Sequence, residues 1–158
     1  MNKPEIIAAV IAQLQDKVTT LESAMAQTVD AATNEQTVPE HKYDTLALEA
    51  SYLAHGQAVR LQQIHADIKR LEQLVAHSEK SMDKVALACI VEVEDENDKR
   101  QRFMMLPCAG GIKLPQFALT TVTPESPLGK KLHNKQLDDE VEVQVGERSV
   151  YYAIVALH

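Results

Sequence analysis

Apolar residues recur along the first part of the chain at alternating intervals of four and three. Ile7, Ile11, Leu14, Val18, Leu21 and Met25 make this seam, while Gln, Asp, Lys, Thr and Glu occupy the other faces. Such spacing is the heptad signature of a helix lying against another. Pro4 suits a first helical turn, where its missing N–H is no loss, and no glycine occurs before Gly56. A helix over 4–31 is predicted, ~42 Å long. The seam fades after Thr33 and restarts beyond Thr37-Val38-Pro39-Glu40, a T-x-x-E capping box with proline in the first turn. Ala47, Ala50, Ala54, Gln57, Leu61, Ile64, Ile68, Leu71 and Val75 carry a second seam, which predicts a helix to about Glu79. Two seams joined by a short turn predict an antiparallel coiled-coil hairpin over 1–80, with its tip near 30–44. The second helix then overhangs the first and needs support from residues beyond position 80.

His77–Lys84 is polar, and beyond it the period changes from 3.5 to 2. Strands are predicted at 85–93, 102–106 and 117–122, with turns at 95–98 and at 107–111, where Gly110 and Gly111 stand together. Ser126-Pro127 starts a short helix to about His133, with Ser as N-cap and Pro at the first position. Glu140–Val145 and Val150–Ala156 flank Gly146-Glu147-Arg148 as a terminal hairpin. Residues 81–158 therefore read as a small α+β domain, and the whole chain as a two-part α+β protein.

Composition narrows the function. The net charge is −7; residues 1–80 hold 7 Lys+Arg against 11 Asp+Glu, and residues 81–158 hold 9 against 12. Neither half is basic, which speaks against tight independent binding of duplex DNA. Only Cys89 and Cys108 occur, far from a disulfide framework, and Cys89 in VALACIVEV reads as a small buried hydrophobe. No signal peptide and no membrane-spanning run is visible, so a cytoplasmic, soluble protein is expected. His41, His55, His65 and His77 lie on the second helix at spacings too wide for a shared metal site.

Two stretches carry candidate chemistry. At the tip, Glu35, Glu40 and Asp44 are carboxylates, although Glu40 also completes the capping box and Asp44 complements the helix dipole. In the second half, Thr123–Leu132 contains S-P-L-G-K, followed by Asp138-Asp-Glu-Val-Glu-Val143. This string reads as a capped turn with Leu128 and Leu132 facing the core.

That string, the closing hairpin and the order of hairpin then domain resemble the bacterial Gre transcript-cleavage factors, the GreA/GreB-like family. Glu40-His-Lys-Tyr43 resembles the family's acidic, Tyr-containing stretch at the start of its second helix. The resemblance covers essentially the whole chain and implies an FKBP-like second domain. It also implies an accessory factor with no enzymatic activity of its own. Such a factor docks on RNA polymerase, inserts its coiled-coil tip into the secondary channel, and helps the polymerase cut backtracked RNA. It implies no cofactor of its own, but a Mg²⁺ ion shared with the polymerase; Glu40 matches the position of the family's tip glutamate, and Asp44 and Glu35 are the substitute carboxylates available beside it. Ser126, Pro127, Lys130 and Lys131 become candidate polymerase contacts, the nascent RNA an indirect partner, and a monomer the expected state. The chain departs from the family in three places. Gln136-Leu137-Asp138-Asp139 stands where a glycine is usual, Asn134-Lys135 where Gly-Lys is, and Thr37 where the tip signature D-x-x-E has its Asp. A channel-binding regulator without cleavage activity is the alternative. An FKBP-type prolyl isomerase is a remoter one, since residues 81–158 offer only Phe103, Phe117, Tyr151 and Tyr152 to line a pocket.

Overall fold

The computed structural model describes residues 2–33, 40–80 and 82–158, with side chains except at 31–33, 40–44 and 46. Two long helices come first, α1 (Lys3–Thr33) and α2 (Glu40–Val75). A sheet domain follows, with strands β1 (Ile90–Asp95), β2 (Arg100–Met105), β3 (Lys113–Leu114), β4 (Leu119–Val122), β5 (Glu140–Val145) and β6 (Arg148–Leu157). A short helix, α3 (Pro127–Leu132), separates β4 from β5. The α+β architecture expected from the two hydrophobic periods is present. The chain divides into two compact units, Met1–Ile11 with Lys69–His158, and Ala12–Ile68.

Within the helical unit, Asp16, Lys17 and Leu21 of α1 line one cleft with Arg60 and Ile64 of α2. A parallel arrangement with that pairing would separate Thr33 from Glu40 by about 50 Å. Six residues lie between them and reach at most ~25 Å, so the helices run antiparallel. Leu14, Val18, Ile64 and Ile68 of the two seams are buried.

The sheet unit takes in the first turns of α1 and the last of α2. Ile6, Ile7, Val10 and Leu71 are fully buried there, so the overhanging end of the second seam finds its support in this unit. The buried Lys3 ammonium donates to the Lys80 carbonyl at 3.0 Å, and burial pulls its pKa below the usual lysine value. Helix α2 stops at Val75, short of the expected Glu79. Tighter bonds from His77 N to Leu74 O and Ser78 N to Val75 O close it, and the buried Ser78 hydroxyl also donates to Val75 O at 2.8 Å.

The strand order is β3-β4-β2-β1-β6-β5, antiparallel except for β2 beside β4. Alternation along the strands sends Val91, Val93, Phe103, Met105, Val141, Val143 and Ile154 to one face, where Val122 and Leu132 join them. The first strand begins at Ile90, five residues later than the expected Val85. Ala88 has φ 65°, and a bond from Cys89 N to Ala86 O makes a tight turn before the ladder can start. The expected third strand, 117–122, is shorter at its start: a 3₁₀ turn at Pro115–Phe117 and a left-handed Ala118 precede β4. The terminal hairpin stands as expected, with Gly146 at φ 64° in its turn.

Candidate functional site

The tip carboxylates fall at the edge of what the structure describes. Glu35 lies outside the described residues. Glu40 and Asp44 lie in the first turns of α2, four residues apart in sequence. The N-terminus of α2 places them at the positive end of its dipole, which favours carboxylates.

In the sheet unit, the second candidate stretch is built on Ser126. Its Oγ donates to the Thr123 carbonyl at 2.7 Å and accepts from Gly129 N at 3.0 Å, capping α3 with Pro127 behind it. Gly129 is there because nothing larger fits: a Cβ would overlap the Thr123 carbonyl oxygen. This tight turn projects Ser126, Pro127 and Leu128 into a groove of ≈ 700 Å³, whose other walls are Gly110 and Gly111, Thr120–Thr123, and Val143–Gly146. Lys130 and Lys131 are exposed on α3 but do not line the groove. Of the four contacts proposed in this domain, the structure thus brings Ser126 and Pro127 together with the groove and leaves both lysines outside it.

Sequence reasoning passed over the residue that shapes this groove. Thr121 is fully buried; its Oγ1 donates to the Ala109 carbonyl at 2.5 Å and accepts from Ile112 N at 2.9 Å. It pins the 107–112 turn, where Ala109 is held at φ 57°. The only hint in sequence is a threonine at an inward position of an alternating strand.

Charge on the sheet is organised across β1 and β2. Glu92 pairs in register with Arg102 and Glu94 with Arg100. Arg102 Nε donates to Glu92 Oε2 at 2.7 Å, Arg100 Nη1 stands 3.5 Å from Glu92 Oε1, and Arg100 Nε donates to Glu94 Oε2 at 2.8 Å. The Arg102 hydrogen bond holds the Glu92 carboxyl below the usual glutamate range, against a smaller opposing effect of burial. A second groove, ≈ 420 Å³, is lined by Glu94, Asp95, Glu96, Glu140, Tyr151 and Tyr152. Glu142 and Glu96 push the Tyr151 phenol upward.

Neither groove suits a prolyl isomerase. Phe103 is packed into the core, the two tyrosines stand among carboxylates, and the groove at Ser126 has no aromatic wall. That alternative finds no support. Cys89 and Cys108 are buried and are not joined in a disulfide; burial raises the Cys89 pKa, as fits an inert hydrophobe. Among the described residues, no three His, Cys, Asp or Glu side chains gather to hold a metal ion, and no helix is long and apolar enough to cross a membrane.

The family profile described as "Transcription elongation factor, GreA/GreB, C-term" matches residues 78–158. GreA of Sphingopyxis alaskensis is 27% identical over 109 residues, which is 65% of this chain and 66% of that protein. The match therefore spans just under two thirds of that relative's length. Among solved structures, GreA factor homolog 1 of Thermus thermophilus aligns over 94% of both chains at 17% identity and a TM-score of 0.41. A GreA/GreB factor from Nitrosomonas europaea aligns over 65% of this chain and 91% of its own, at 15% identity and a TM-score of 0.40. The profile match takes in α3, the Ser126 turn and the terminal hairpin: the chain belongs to the GreA/GreB family of transcription elongation factors.

Proposed function

We propose that this protein is an accessory factor of RNA polymerase. Its sheet unit docks at the secondary channel, and its hairpin carries Glu40 and Asp44, with Glu35, to the polymerase active centre. The observation that carries this reading is the family match over 78–158. Support also comes from the groove at Ser126 and Pro127, with Lys130 and Lys131 exposed beside it on α3. The factor acts as a monomer in the cytoplasm and touches nascent RNA only through the polymerase.

The tip's contribution is chemical in a limited sense. Mg²⁺ takes oxygen ligands and keeps several waters unless carboxylates replace them; when bound beside backtracked RNA it supplies the charge that activates water. Glu40 and Asp44 are of the right donor type and lie one helical turn apart. Together with carboxylates of the polymerase they would hold the ion, and bond breaking would stay with the polymerase.

One residue favours a second reading. Thr37 stands three positions before Glu40, where the family signature has aspartate. A factor lacking that carboxylate occupies the channel and modulates elongation without stimulating cleavage. The test is transcript cleavage on stalled, backtracked elongation complexes, with polymerase binding measured alongside. Stimulation of cleavage by wild type, lost in Glu40→Ala and reduced in Glu35→Ala and Asp44→Ala, supports the first reading. Binding with intact RNA selects the second. Failure to bind polymerase overturns both.

A further inference from the structure

The helical arm changes character part-way along. Leu14 and Val18 of α1 and Ile64 and Ile68 of α2 are buried, whereas over 19–30 and 45–63 no described side chain is buried. Gly56 and Gln57 stand in the interior of α2, about two turns before Ile64. Gly56 is not at positive φ, and a Cβ built on it meets nothing within 4 Å. Neither a turn nor a close approach calls for glycine there, so it only weakens the helix. Gln57 takes a seam position, yet its Oε1 is enclosed and no described group donates to it. The cleft that Leu21 and Ala24 share with Arg60 and Ile64 sets Gln57 across from the turn 24–28 of α1. There the Thr28 hydroxyl is already given to the Ala24 carbonyl at 2.9 Å.

Either feature alone is tolerable, since polar residues do occur in seams. Together they put a backbone weakness and an unsatisfied acceptor on adjacent residues. An enclosed amide oxygen without a donor is penalised while the helices are closed and relieved when water reaches it. Beyond it the seam is Ala47, Ala50 and Ala54, so opening that stretch exposes little apolar surface. We propose that the arm is jointed at Gly56 and Gln57: α1 beyond Thr28 and α2 before Gly56 part and re-form as a unit, while the seam at Leu14, Val18, Ile64 and Ile68 stays closed. Such an opening takes less free energy than unfolding the whole chain. Glu40 and Asp44 ride on the jointed stretch, so the joint sets how rigidly the tip is presented. It belongs to the free protein and is independent of what the tip binds.

The test is amide hydrogen exchange on the full chain, read by mass spectrometry, for wild type, Gln57→Leu, Gly56→Ala and Gln63→Leu. In wild type, amides of 29–33 and 45–55 should exchange through one shared opening, roughly tenfold or more frequent than that of 61–68. Protection should change in a step at the joint. Gln57→Leu removes the unsatisfied oxygen and should slow exchange on the tip side roughly tenfold or more. Gly56→Ala should slow it about two- to fivefold. Both should leave 61–68 unchanged. Gln63 is exposed, so the same glutamine-to-leucine change there should leave both sections as in wild type. Protection that declines smoothly along α2 toward the tip would mean simple fraying and would refute the joint. Slowing of 61–68 by Gln57→Leu to the same extent would show that the arm opens as one body, which also overturns the proposal. So would a Gln57→Leu variant whose tip-side exchange is unchanged.

Discussion

The two units bury their residues in different ways. In the sheet unit, neighbours far apart in sequence enclose a core with Val91, Met105, Leu132 and Ile154 nearly or fully excluded from water. In the helical unit, the buried side chains among the described residues are Leu14, Val18, Ile64 and Ile68, all near the ends where it joins the other unit. Toward the tip the second seam falls to Ala47, Ala50 and Ala54, each only half-buried. The sheet unit encloses a core drawn from many elements, whereas the helical unit buries a single narrow seam. Stability is therefore distributed unevenly along the chain, with most of it where the family profile matches.

Matched substitutions of glycine by alanine test that contrast most sharply. Gly129→Ala forces a methyl into the Thr123 carbonyl, and the α3 turn has to shift. The sheet unit should lose about 3 kcal/mol or more, read as a large drop in the denaturant midpoint. Gly56→Ala meets nothing within 4 Å in the interior of α2, and should stabilise the helical unit by ~0.5–1 kcal/mol. Equal effects of the same sign would break the comparison.

Thr121→Val comes next in size. It keeps the shape but strands the Ala109 carbonyl and the Ile112 N–H, so a loss of about 2 kcal/mol is expected. Backbone exchange at 109–112 should rise with it, while helical-unit amides stay unchanged.

The smallest effect is a pH dependence. Glu92 has a carboxyl pKa lowered in the folded state, chiefly by Arg102. Its stabilisation is complete above the ordinary glutamate value of roughly 4.3 and is lost as pH falls through the lower folded value. Glu92→Gln should flatten the acid limb of the stability curve and leave the curve's shape above pH 5 unaltered. A limb that persists unchanged in Glu92→Gln would assign it to other carboxylates.

The same contrast explains what could be read from sequence. The helices were legible because their seams are local and periodic, and the terminal hairpin because Gly146 marks its turn. The start of β1 was not, since Val85–Cys89 has strand-like residues but a left-handed Ala88 that only the surrounding fold imposes. Nor was the parallel pairing of β2 with β4, which joins segments whose alternation fits several partners equally well. At the candidate site, Ser126 and Pro127 announced their cap, whereas Thr121 acts through two backbone groups of a distant turn and leaves no local trace. The tip was legible as an acidic helix start, with Glu40 and Asp44 in the first turns of α2.

The division of the sheet unit into Met1–Ile11 and Lys69–His158 sets an order of events during synthesis. Ile6, Ile7 and Val10 leave the ribosome long before their sheet-unit neighbours exist. Until then they are apolar surface open to chaperones or to aggregation. Closing so wide a gap in one step is slow, but the intervening hairpin forms from local contacts and shortens the gap first. A hairpin of local contacts is the short route by which Ile6, Ile7 and Val10 reach the rest of their own core.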